Sequence, residues 1–510
     1  MQEKQRQRTI QGFQTFLETP LEALLEGSPE GGLHSSVELF HRIATTVPAY
    51  QAFLSEHSIS ATSIQTPEDF QTLPLLTKDN YLRRYPLAQL CRNGQLESCD
   101  MIAVSSGSTG KPTFWPRFIS DELQIATRFE QIFYDSFQAD NCRTLAVVCF
   151  SLGTWVGGMY TANCCRHLAS KGYPITVITP GSNPTEIFRV VRELGSAFEQ
   201  VVLLGYPPFL KDVIDKGIAE GIDWKQYQIK LVFAGEVFSE EWRDLVGERV
   251  GSKQSYFDSA SLYGTADAGV LGNETPLSIC IRQFFSKNPE AARSLFGESR
   301  LPTLVQYDPQ SRFFELTKEP NSQAQTLLFS GDNGVPLIRY HIADNGGIIR
   351  YKEMLAFLKQ WQFDPISELQ KQGDRGIRLL PFVYVFGRSY FTISYYGANL
   401  FPENITVGLE QPNIQAWVTG KFVMEIAETT DKNRELLITV ELAPNIQPDE
   451  DKKQAIATSI LTQLRRLNSE FANYVPMEQQ TPKICLKLTG DSEYFPVGVK
   501  HRYTRQPQKA

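Results

Sequence analysis

The sequence predicts an α/β fold with a large N-terminal domain of helix-flanked sheets and a smaller α+β C-terminal domain. Between residues 145 and 250, short apolar β-branched segments alternate with helical ones. From about residue 416 onward, the hydrophobic periodicity follows a β-β-α-β order. The chain also has 510 residues, which exceeds the roughly 250–300 residues that one hydrophobic core accommodates. We therefore expect at least two domains.

The N-terminal region is expected to be helical. Apolar residues recur at helical spacing over residues 1–60, with a break at Gly31-Gly32. Thr77 is expected to cap a short helix that follows the segment Leu73–Leu76. A longer amphipathic helix is predicted over Asp121–Phe137.

The alternating region supplies the places where a ligand would bind. Strands are expected at 145–150, 175–178, 201–204 and 230–234, and helices at 157–171, 184–198, 207–220 and 239–250. Open α/β sheets bind ligands beyond the carboxyl ends of their strands. The loops expected there are 151–155, 205–208, 235–237 and 263–267. In the strand-rich region 300–350, Asp332-Asn333-Gly334 and Asn345-Gly346-Gly347 are typical of hairpin turns.

Composition indicates a soluble globular protein. The chain is 42% hydrophobic and 21% charged, and its net charge of −7 argues against a general nucleic-acid surface. Thr144–Cys165 has no charged residue and is nearly long enough to span a bilayer. Its glycines and polar residues predict a strand, a loop and a helix instead, so we expect no membrane span and a cytoplasmic location.

The eight cysteines contain no CxxC pair. Cys164, Cys165 and His167 form the one cluster, and its spacing is not that of a zinc finger. Buried thiols are the favoured interpretation, and a zinc site is a weak alternative.

One stretch concentrates the features of a phosphate-binding loop. It reads Ser105-Ser106-Gly107-Ser108-Thr109-Gly110-Lys111-Pro112-Thr113. Glycines allow positive φ and close approach to a ligand, and successive backbone N–H groups in such a loop form an anion-binding nest. The hydroxyls add donors and Lys111 adds positive charge, so the loop suits a polyphosphate. It is not a GxxxxGK[ST] loop, because Ser105 and Pro112 stand where that pattern needs Gly and Ser or Thr.

This loop resembles the phosphate loop of the adenylate-forming superfamily of acyl-CoA ligases, adenylation domains and luciferases. Within that superfamily, it is most similar to the branch of phenylacetate–CoA ligases and their CapK-like relatives. The resemblance implies ATP and AMP binding, Mg²⁺, and coenzyme A as a co-substrate. Residues 1–387 would be the adenylation domain and residues 388–510 the lid domain.

Further segments match the family in order along the chain. Gly235-Glu236-Val237 resembles the segment that packs on adenine, and Tyr263-Gly264-Thr265-Ala266-Asp267 resembles the Tyr-Gly motif that ends in an acid. By this match, Tyr263 would line the nucleotide site and Asp267 would replace the usual Glu as Mg²⁺ ligand. Asp344, at the end of Leu337–Asp344, would accept hydrogen bonds from the ribose hydroxyls; the alternative is an Asp-Asn-Gly turn.

The lid also departs from the family pattern. Arg388 matches the start of the hinge and would lie near the phosphates, but Tyr390 and Phe391 follow where the family has an acid. Lys500 is the candidate for the lid lysine that steadies charge during adenylation, although Val499 interrupts the usual Gly-Lys. We expect the tail beyond Lys500 to be exposed.

The predicted function is ATP-dependent activation of a carboxylic acid to an acyl adenylate with release of pyrophosphate, followed by transfer to coenzyme A. An aromatic acid is expected, because aromatic side chains stand at the strand ends, although such residues often belong to the core. The candidate pocket residues are Phe150, Trp155, Tyr206 and Phe209. Transfer to an amine or carrier protein, and a non-catalytic ATP-binding protein, stay open as alternatives. The resemblance also leaves a homodimer open.

Overall fold

The computed structural model describes most of the chain. The described ranges are 2–25, 31–104, 113–154, 156–297, 301–318, 325–373, 375–388, 393–396, 398–428, 434–468, 471–472, 475–496, 501 and 503–504. Among these residues, no helix combines the length and the apolar character that crossing a bilayer requires.

Helices account for the N-terminal region and the sheet flanks. They are α1 (Gln2–Glu18), α2 (Leu21–Leu25), α3 (Gly31–Thr46), α4 (Pro48–Glu56), α5 (Pro67–Thr72), α6 (Leu87–Leu90), α7 (Ile119–Gln131), α8 (Val156–Ser170), α9 (Pro184–Leu194), α10 (Pro207–Ala219), α11 (Glu240–Val250), α12 (Pro276–Lys287), α13 (Pro289–Phe296), α14 (Tyr351–Gln360), α15 (Pro365–Gln370), α16 (Pro402–Leu409) and α17 (Glu450–Leu467).

The strands belong to one large sheet and three small ones. They are β1 (Met101–Val104), β2 (Phe114–Arg117), β3 (Thr144–Val148), β4 (Ile175–Ile178), β5 (Gln200–Gly205), β6 (Ile229–Ala234), β7 (Ser259–Thr265), β8 (Gly269–Asn273), β9 (Thr303–Gln306), β10 (Phe313–Lys318), β11 (Gln325–Gly331), β12 (Leu337–Ile349), β13 (Phe382–Arg388), β14 (Ile393–Tyr395), β15 (Ala398–Leu400), β16 (Val418–Glu428), β17 (Arg434–Leu442) and β18 (Lys483–Lys487).

Over the described residues, the large sheet has the strand order β10-β11-β12-β13-β9-β8-β7-β6-β5-β3-β4. The strands β4, β3, β5, β6 and β7 run parallel, and the rest of the sheet is antiparallel. The parallel part is the predicted alternation of strands and helices, which is confirmed. β12 then carries Asp344 from the antiparallel part toward the ends of the parallel strands.

Alternate side chains of the parallel strands enter different cores on the two faces of the sheet. Ala146 and Val148 of β3 pack in the core that contains α7 and α8 residues. Leu145 and Val147 pack in the core that contains α9, α10 and α11 residues. Because both faces are covered, apolar side chains dominate β3 and β5, as in the runs Leu145–Val148 and Val201–Leu204.

The C-terminal part forms the predicted β-β-α-β unit. β16 pairs antiparallel with β17, and β17 pairs parallel with β18 after α17. β13 of the large sheet ends at Arg388, and β14 belongs to a different sheet.

Three local predictions need correction. The segment Asn345-Gly346-Gly347 lies within β12 and does not form a hairpin turn, whereas 332–334 does connect β11 to β12. Residues 263–265 belong to β7 and not to a loop. The predicted helix over 121–137 leaves α-geometry after Gln131 and continues as a π-helical turn over 132–136.

One other local prediction is confirmed, and a second is confirmed in part. Thr77 caps the short helical turn Lys78–Leu82 through a capping box with Asn80. The N-terminal region is mostly helical over the described residues 2–56, but the predicted break does not fall at Gly31-Gly32, because both glycines lie in α3.

Candidate active site

The carboxyl ends of β5 and β6 bring two of the predicted loops together. Gly235 follows β6 with φ of +96°, a conformation that favours glycine. A Cβ at this position would lie 3.6 Å from the ring of Tyr206, which follows β5. The loops after neighbouring parallel strands are therefore in contact at one edge of the sheet, where such folds bind ligands.

A buried carboxylate from the antiparallel part of the sheet reaches the same edge. Asp344 on β12 is only 5% exposed, and its Oδ2 accepts a hydrogen bond of 2.8 Å from the hydroxyl of Tyr263 on β7. The backbone of Arg388 lies opposite Asp344 in the β12–β13 register. The structure therefore brings together Tyr263 and Asp344, two residues that the sequence analysis assigned to nucleotide binding.

The turn between β7 and β8 is held from three directions. The Arg117 guanidinium donates to the carbonyl of Ala266 at 2.5 Å, and the Thr265 hydroxyl accepts the Ala268 N–H at 3.1 Å. Asp267 is 3% exposed, and its Oδ2 accepts a 2.5 Å hydrogen bond from Tyr340. This turn is consequently fixed before any ligand binds.

Residues 105–112 of the predicted phosphate loop lie outside the described residues, but both flanks of the loop are described. β1 and β2 form an antiparallel pair in which Val104 lies opposite Phe114. The Val104 N–H also donates to the carbonyl of Thr154 at 2.8 Å, next to the loop after β3. The two ends of the loop are thus held side by side.

Glu236, next to Gly235, receives a contact from the far end of the chain. The hydroxyl of Tyr503 donates to Oε2 of Glu236 at 2.9 Å. The hydroxyl of Tyr206 is buried beside them, and this burial together with the charge of Glu236 raises the pKa of Tyr206. A C-terminal residue therefore takes part in the geometry of the strand-end turn.

Solved structures of one enzyme share this arrangement of elements over nearly the whole chain. 2-Hydroxyisobutyryl-CoA ligase in the postadenylation state with R3-HIB-AMP superposes with a TM-score of 0.65 and 14% identity, covering 94% of this chain and 89% of that chain. Its open conformation with 2-HIB-AMP and CoA gives a TM-score of 0.53 at 14% identity, covering 93% of this chain and 90% of that one. The chain has the adenylate-forming fold. Neither a family sequence model nor a curated protein matches it by sequence.

In this adenylate-forming fold, several predicted site residues cannot be placed. The site residues that lie outside the described residues are Ser105, Ser106, Gly107, Ser108, Thr109, Gly110, Lys111, Trp155 and Lys500.

Gly264 lies in β7 against β8, where an added Cβ would meet the Gly269 carbonyl at 2.6 Å. Only glycine therefore allows this pairing of the two strands.

The aromatic pocket residues are divided between two cores. Phe150 packs against the core on the α7–α8 side, and Phe209 packs against the core on the α9–α11 side. Tyr206 lies at the strand-end turn beside Gly235. Of the described pocket candidates, Tyr206 is thus the one with contacts to the nucleotide-site residues, and the roles of Phe150 and Phe209 stay predictions.

The geometry around Asp267 does not suit a metal ion as it stands. Nζ of Lys78 lies 3.3 Å from the same Oδ2 that accepts the Tyr340 hydroxyl. An ammonium at this distance already compensates the carboxylate, and a divalent cation would have to displace it. Across the described ranges, no group of three or more His, Cys, Asp or Glu residues is arranged to hold a metal. The Mg²⁺ role of Asp267 therefore remains a prediction that this arrangement does not favour.

The cysteine cluster offers no support for the zinc alternative. Cys164 and Cys165 are fully buried, and burial raises the pKa of Cys165 to about 12. His167 Nε2 lies 3.2 Å from Oε2 of Glu122, with the rings of Phe13 and Phe16 edge-on to it. These contacts describe a packed core in which the thiols stay protonated.

Sequence reasoning missed four residues of this site: Lys78, Arg117, Tyr340 and Tyr503. Tyr340 stood in the segment Leu337–Asp344 that was already matched to the family, so its position was a usable signal. Tyr503 had none, because the tail was expected to be exposed. The correction is that residues 501, 503 and 504 pack against β16, where the Met424 N–H donates to the carbonyl of Tyr503 at 2.7 Å.

Proposed function

We propose that the protein activates a carboxylic acid with ATP and transfers the acyl group to coenzyme A. The observation that carries this proposal is the buried Asp344 carboxylate, hydrogen-bonded to Tyr263 at the strand-end edge of an adenylate-forming fold. A carboxylate held in this way is a strong acceptor for a ribose diol. The solved relative, a CoA ligase bound to acyl-AMP and to CoA, supports the same chemistry.

The nucleotide would lie across the strand ends. The turn at Gly235 and Glu236 would pack against adenine, Asp344 would accept hydrogen bonds from the ribose, and the 105–111 loop would surround the phosphates. Arg388 is the last residue of β13 and lies beside Asp344 in the backbone register. Arg388 and Lys500 are the cations that we assign to the charge developing at the α-phosphate.

The reaction has two steps with a common intermediate. A carboxylate oxygen attacks the α-phosphorus, the bond to the bridging oxygen breaks, and pyrophosphate leaves. The thiolate of coenzyme A then attacks the acyl carbonyl, and AMP leaves with the oxygen that the carboxylate supplied. The chain's contribution to both steps is positioning and charge stabilisation, as in phosphoryl transfer generally.

Residues 388–510 would act as the lid between the two steps. The similarity to the relative depends on its state: the TM-score is 0.65 with the postadenylation state but 0.53 with the thioesterification state. Since lid rotation is a common way to separate two half-reactions, we assign the arrangement described here to the first half-reaction.

We propose an aryl acid as the substrate. The phosphate loop favours the phenylacetate–CoA ligase and CapK-like branch, and hence an aryl acid. The solved relative is named for 2-hydroxyisobutyrate, a small branched acid. Tyr206 is the aromatic residue whose contacts at the strand-end turn support an aryl substrate.

One observation favours a second candidate, a nucleotide-binding protein that does not catalyse adenylation. The Lys78 ammonium already compensates Asp267, the acid in the predicted metal-ligand position. A protein of this kind would bind ATP without releasing pyrophosphate.

Pyrophosphate release from ATP separates these candidates. The assay uses Mg²⁺ and a panel of aryl, hydroxy and fatty acids, with and without coenzyme A, and compares wild type with Asp344→Ala. Release that needs one acid, rises with coenzyme A and is lost in the variant would support the ligase. Release that coenzyme A does not accelerate would indicate another acceptor. ATP binding without release for any acid would overturn the ligase in favour of the binding protein.

A further inference from the structure

The last described residues of the chain complete the C-terminal sheet. Besides the Met424–Tyr503 backbone hydrogen bond, Met424 forms a parallel bridge with Thr504. The His501 ring nitrogen Nε2 lies 2.7 Å from the carbonyl of Phe422. β16 is an edge strand of its sheet, and residues 501, 503 and 504 pack along this edge through the bridge at Thr504.

The packing of this segment fixes the direction of the Tyr503 side chain. Its ring centroid lies 5.0 Å from that of Phe422 and 4.7 Å from that of His501, the latter in an edge-to-face contact. Held between these rings, the phenol points away from its own sheet. Its hydroxyl reaches Glu236 on the other side of the interface.

This contact differs from those that the C-terminal part makes with α10, and it lies near a second contact, in which Glu410 accepts the Ser239 hydroxyl. Lys211 of α10 donates to the Val418 carbonyl at 3.3 Å, and Lys421 lies 3.8 Å from Asp212, also of α10. These contacts join β16 to the outside of a helix. The hydrogen bond from Tyr503 instead reaches the strand-end turn, where the main chain bends at Gly235.

We propose that Tyr503 is a positioning residue that orders the Gly235–Val237 turn for adenine during the first half-reaction. The inference rests on the proposed function and extends it to a residue outside the nucleotide-binding motifs. The hydrogen bond from Tyr503 holds the Glu236 carboxylate and thereby the backbone of the turn. Rotation of the C-terminal part would carry Tyr503 away, so the contact belongs to one arrangement of the lid.

The activity test separates the two half-reactions in Tyr503→Phe, which keeps the ring and removes only the hydroxyl. We expect acid-dependent pyrophosphate release to slow about tenfold, as for loss of a hydrogen bond to a charged acceptor. Thioester formation from supplied acyl adenylate and coenzyme A should change by less than about twofold, because the contact is absent from that step. Equal slowing of both steps would overturn the assignment to the first.

A matched control is available elsewhere in the chain. The hydroxyl of Tyr173 donates to Glu130 at 2.9 Å, the same chemistry and distance, between residues of the N-terminal part. Tyr173→Phe should leave the ratio of the two half-reaction rates unchanged. If it alters that ratio as Tyr503→Phe does, the effect is general and the positioning role is wrong.

Hydrogen exchange supplies a readout that does not need activity. In Tyr503→Phe without nucleotide, amides of the peptide covering residues 235–238 should exchange at least about threefold faster than in wild type. In Tyr173→Phe their exchange should not change. If wild type releases no pyrophosphate but this exchange pattern appears, the contact is real and the proposed function fails. Unchanged exchange at 235–238 in Tyr503→Phe would overturn the inference, whatever the activity.

Discussion

The ammonium of Lys78 lies 3.3 Å from Oδ2 of Asp267, and so a residue of the N-terminal region compensates the acid that the sequence assigned to a metal. Asp267 is almost fully buried, whereas about a third of the Lys78 side chain is exposed. The pair links the turn at 78–82 to the loop between β7 and β8. Tyr340 completes the arrangement from β12.

Lys78→Met should lower stability because it leaves a buried carboxylate without its cation. We expect the free energy of unfolding to fall by about 1–3 kcal/mol, measured by urea denaturation. Adding Asp267→Asn to that variant should recover part of the loss. If the double variant is less stable than Lys78→Met, the two side chains do not compensate each other.

Glu410 predicts how the contact between the two parts of the chain depends on pH. It follows α16, accepts the Ser239 hydroxyl at the start of α11, and its burial raises its pKa to about 8. The folded state thus retains a proton that the unfolded state loses above its ordinary pKa of about 4.3. The stabilising effect is complete below that value and is lost as pH rises toward 8.

Glu410→Gln imitates the protonated acid and should remove this pH dependence. Thermal unfolding of wild type should shift to lower temperature between pH 6 and 9 by more than that of the variant. Asp364→Asn, at an exposed helix cap, is the control and should follow wild type. Parallel curves for wild type and Glu410→Gln over this range would show that Glu410 is not protonated when folded.

His501 predicts the opposite dependence. Burial lowers its pKa to about 4, so the folded state holds it neutral against the carbonyl of Phe422. The unfolded or detached segment takes up a proton below about 6.5, and stability contributed by the docked segment is therefore lost as pH falls from 6.5 toward 4. Hydrogen exchange at residues 422–424 should accelerate over this range. Exchange that stays constant from pH 7 to 4.5, after correction for intrinsic rates, would contradict the prediction.

Gly346 should tolerate no side chain. A Cβ there would lie 2.1 Å from the Tyr384 carbonyl of the neighbouring β13, a backbone atom that cannot move away alone. Gly346→Ala should destabilise the protein by more than about 2 kcal/mol and weaken nucleotide binding, since Asp344 lies two residues away. Gly12→Ala on α1, where the added Cβ would make an ordinary 3.6 Å contact with Leu123, is the control and should leave stability unchanged or raise it by up to about 1 kcal/mol. A stable Gly346→Ala protein would refute the close approach of the two strands.

The repeating part of the fold could be predicted because local and global signals agree there. β3 to β6 and their helices combine apolar β-branched runs with helical periodicity, so each element was found within a few residues of its ends. The β-β-α-β order of the C-terminal part was equally accessible. Predicting these elements from the sequence requires no knowledge of contacts between distant segments.

Other features depend on contacts between distant segments, and sequence could not supply them. Asn345-Gly346-Gly347 suits a hairpin turn locally, but the same glycines allow β13 to approach β12 closely. Lys78 and Tyr340 meet Asp267 only after three segments assemble. Tyr503 is polar and near the chain end, which indicates exposure until its ring packs on Phe422.

Adenylation by the carboxylate can be tested by following the oxygen of the acid. An acid that supports pyrophosphate release is labelled with ¹⁸O in its carboxylate and incubated with ATP, Mg²⁺, coenzyme A and the enzyme. The masses of AMP and pyrophosphate are then measured by mass spectrometry. Because a carboxylate oxygen attacks the α-phosphorus in the proposed reaction, we expect one ¹⁸O atom in AMP and none in pyrophosphate. Unlabelled AMP, or ADP and phosphate in place of AMP and pyrophosphate, would contradict this expectation.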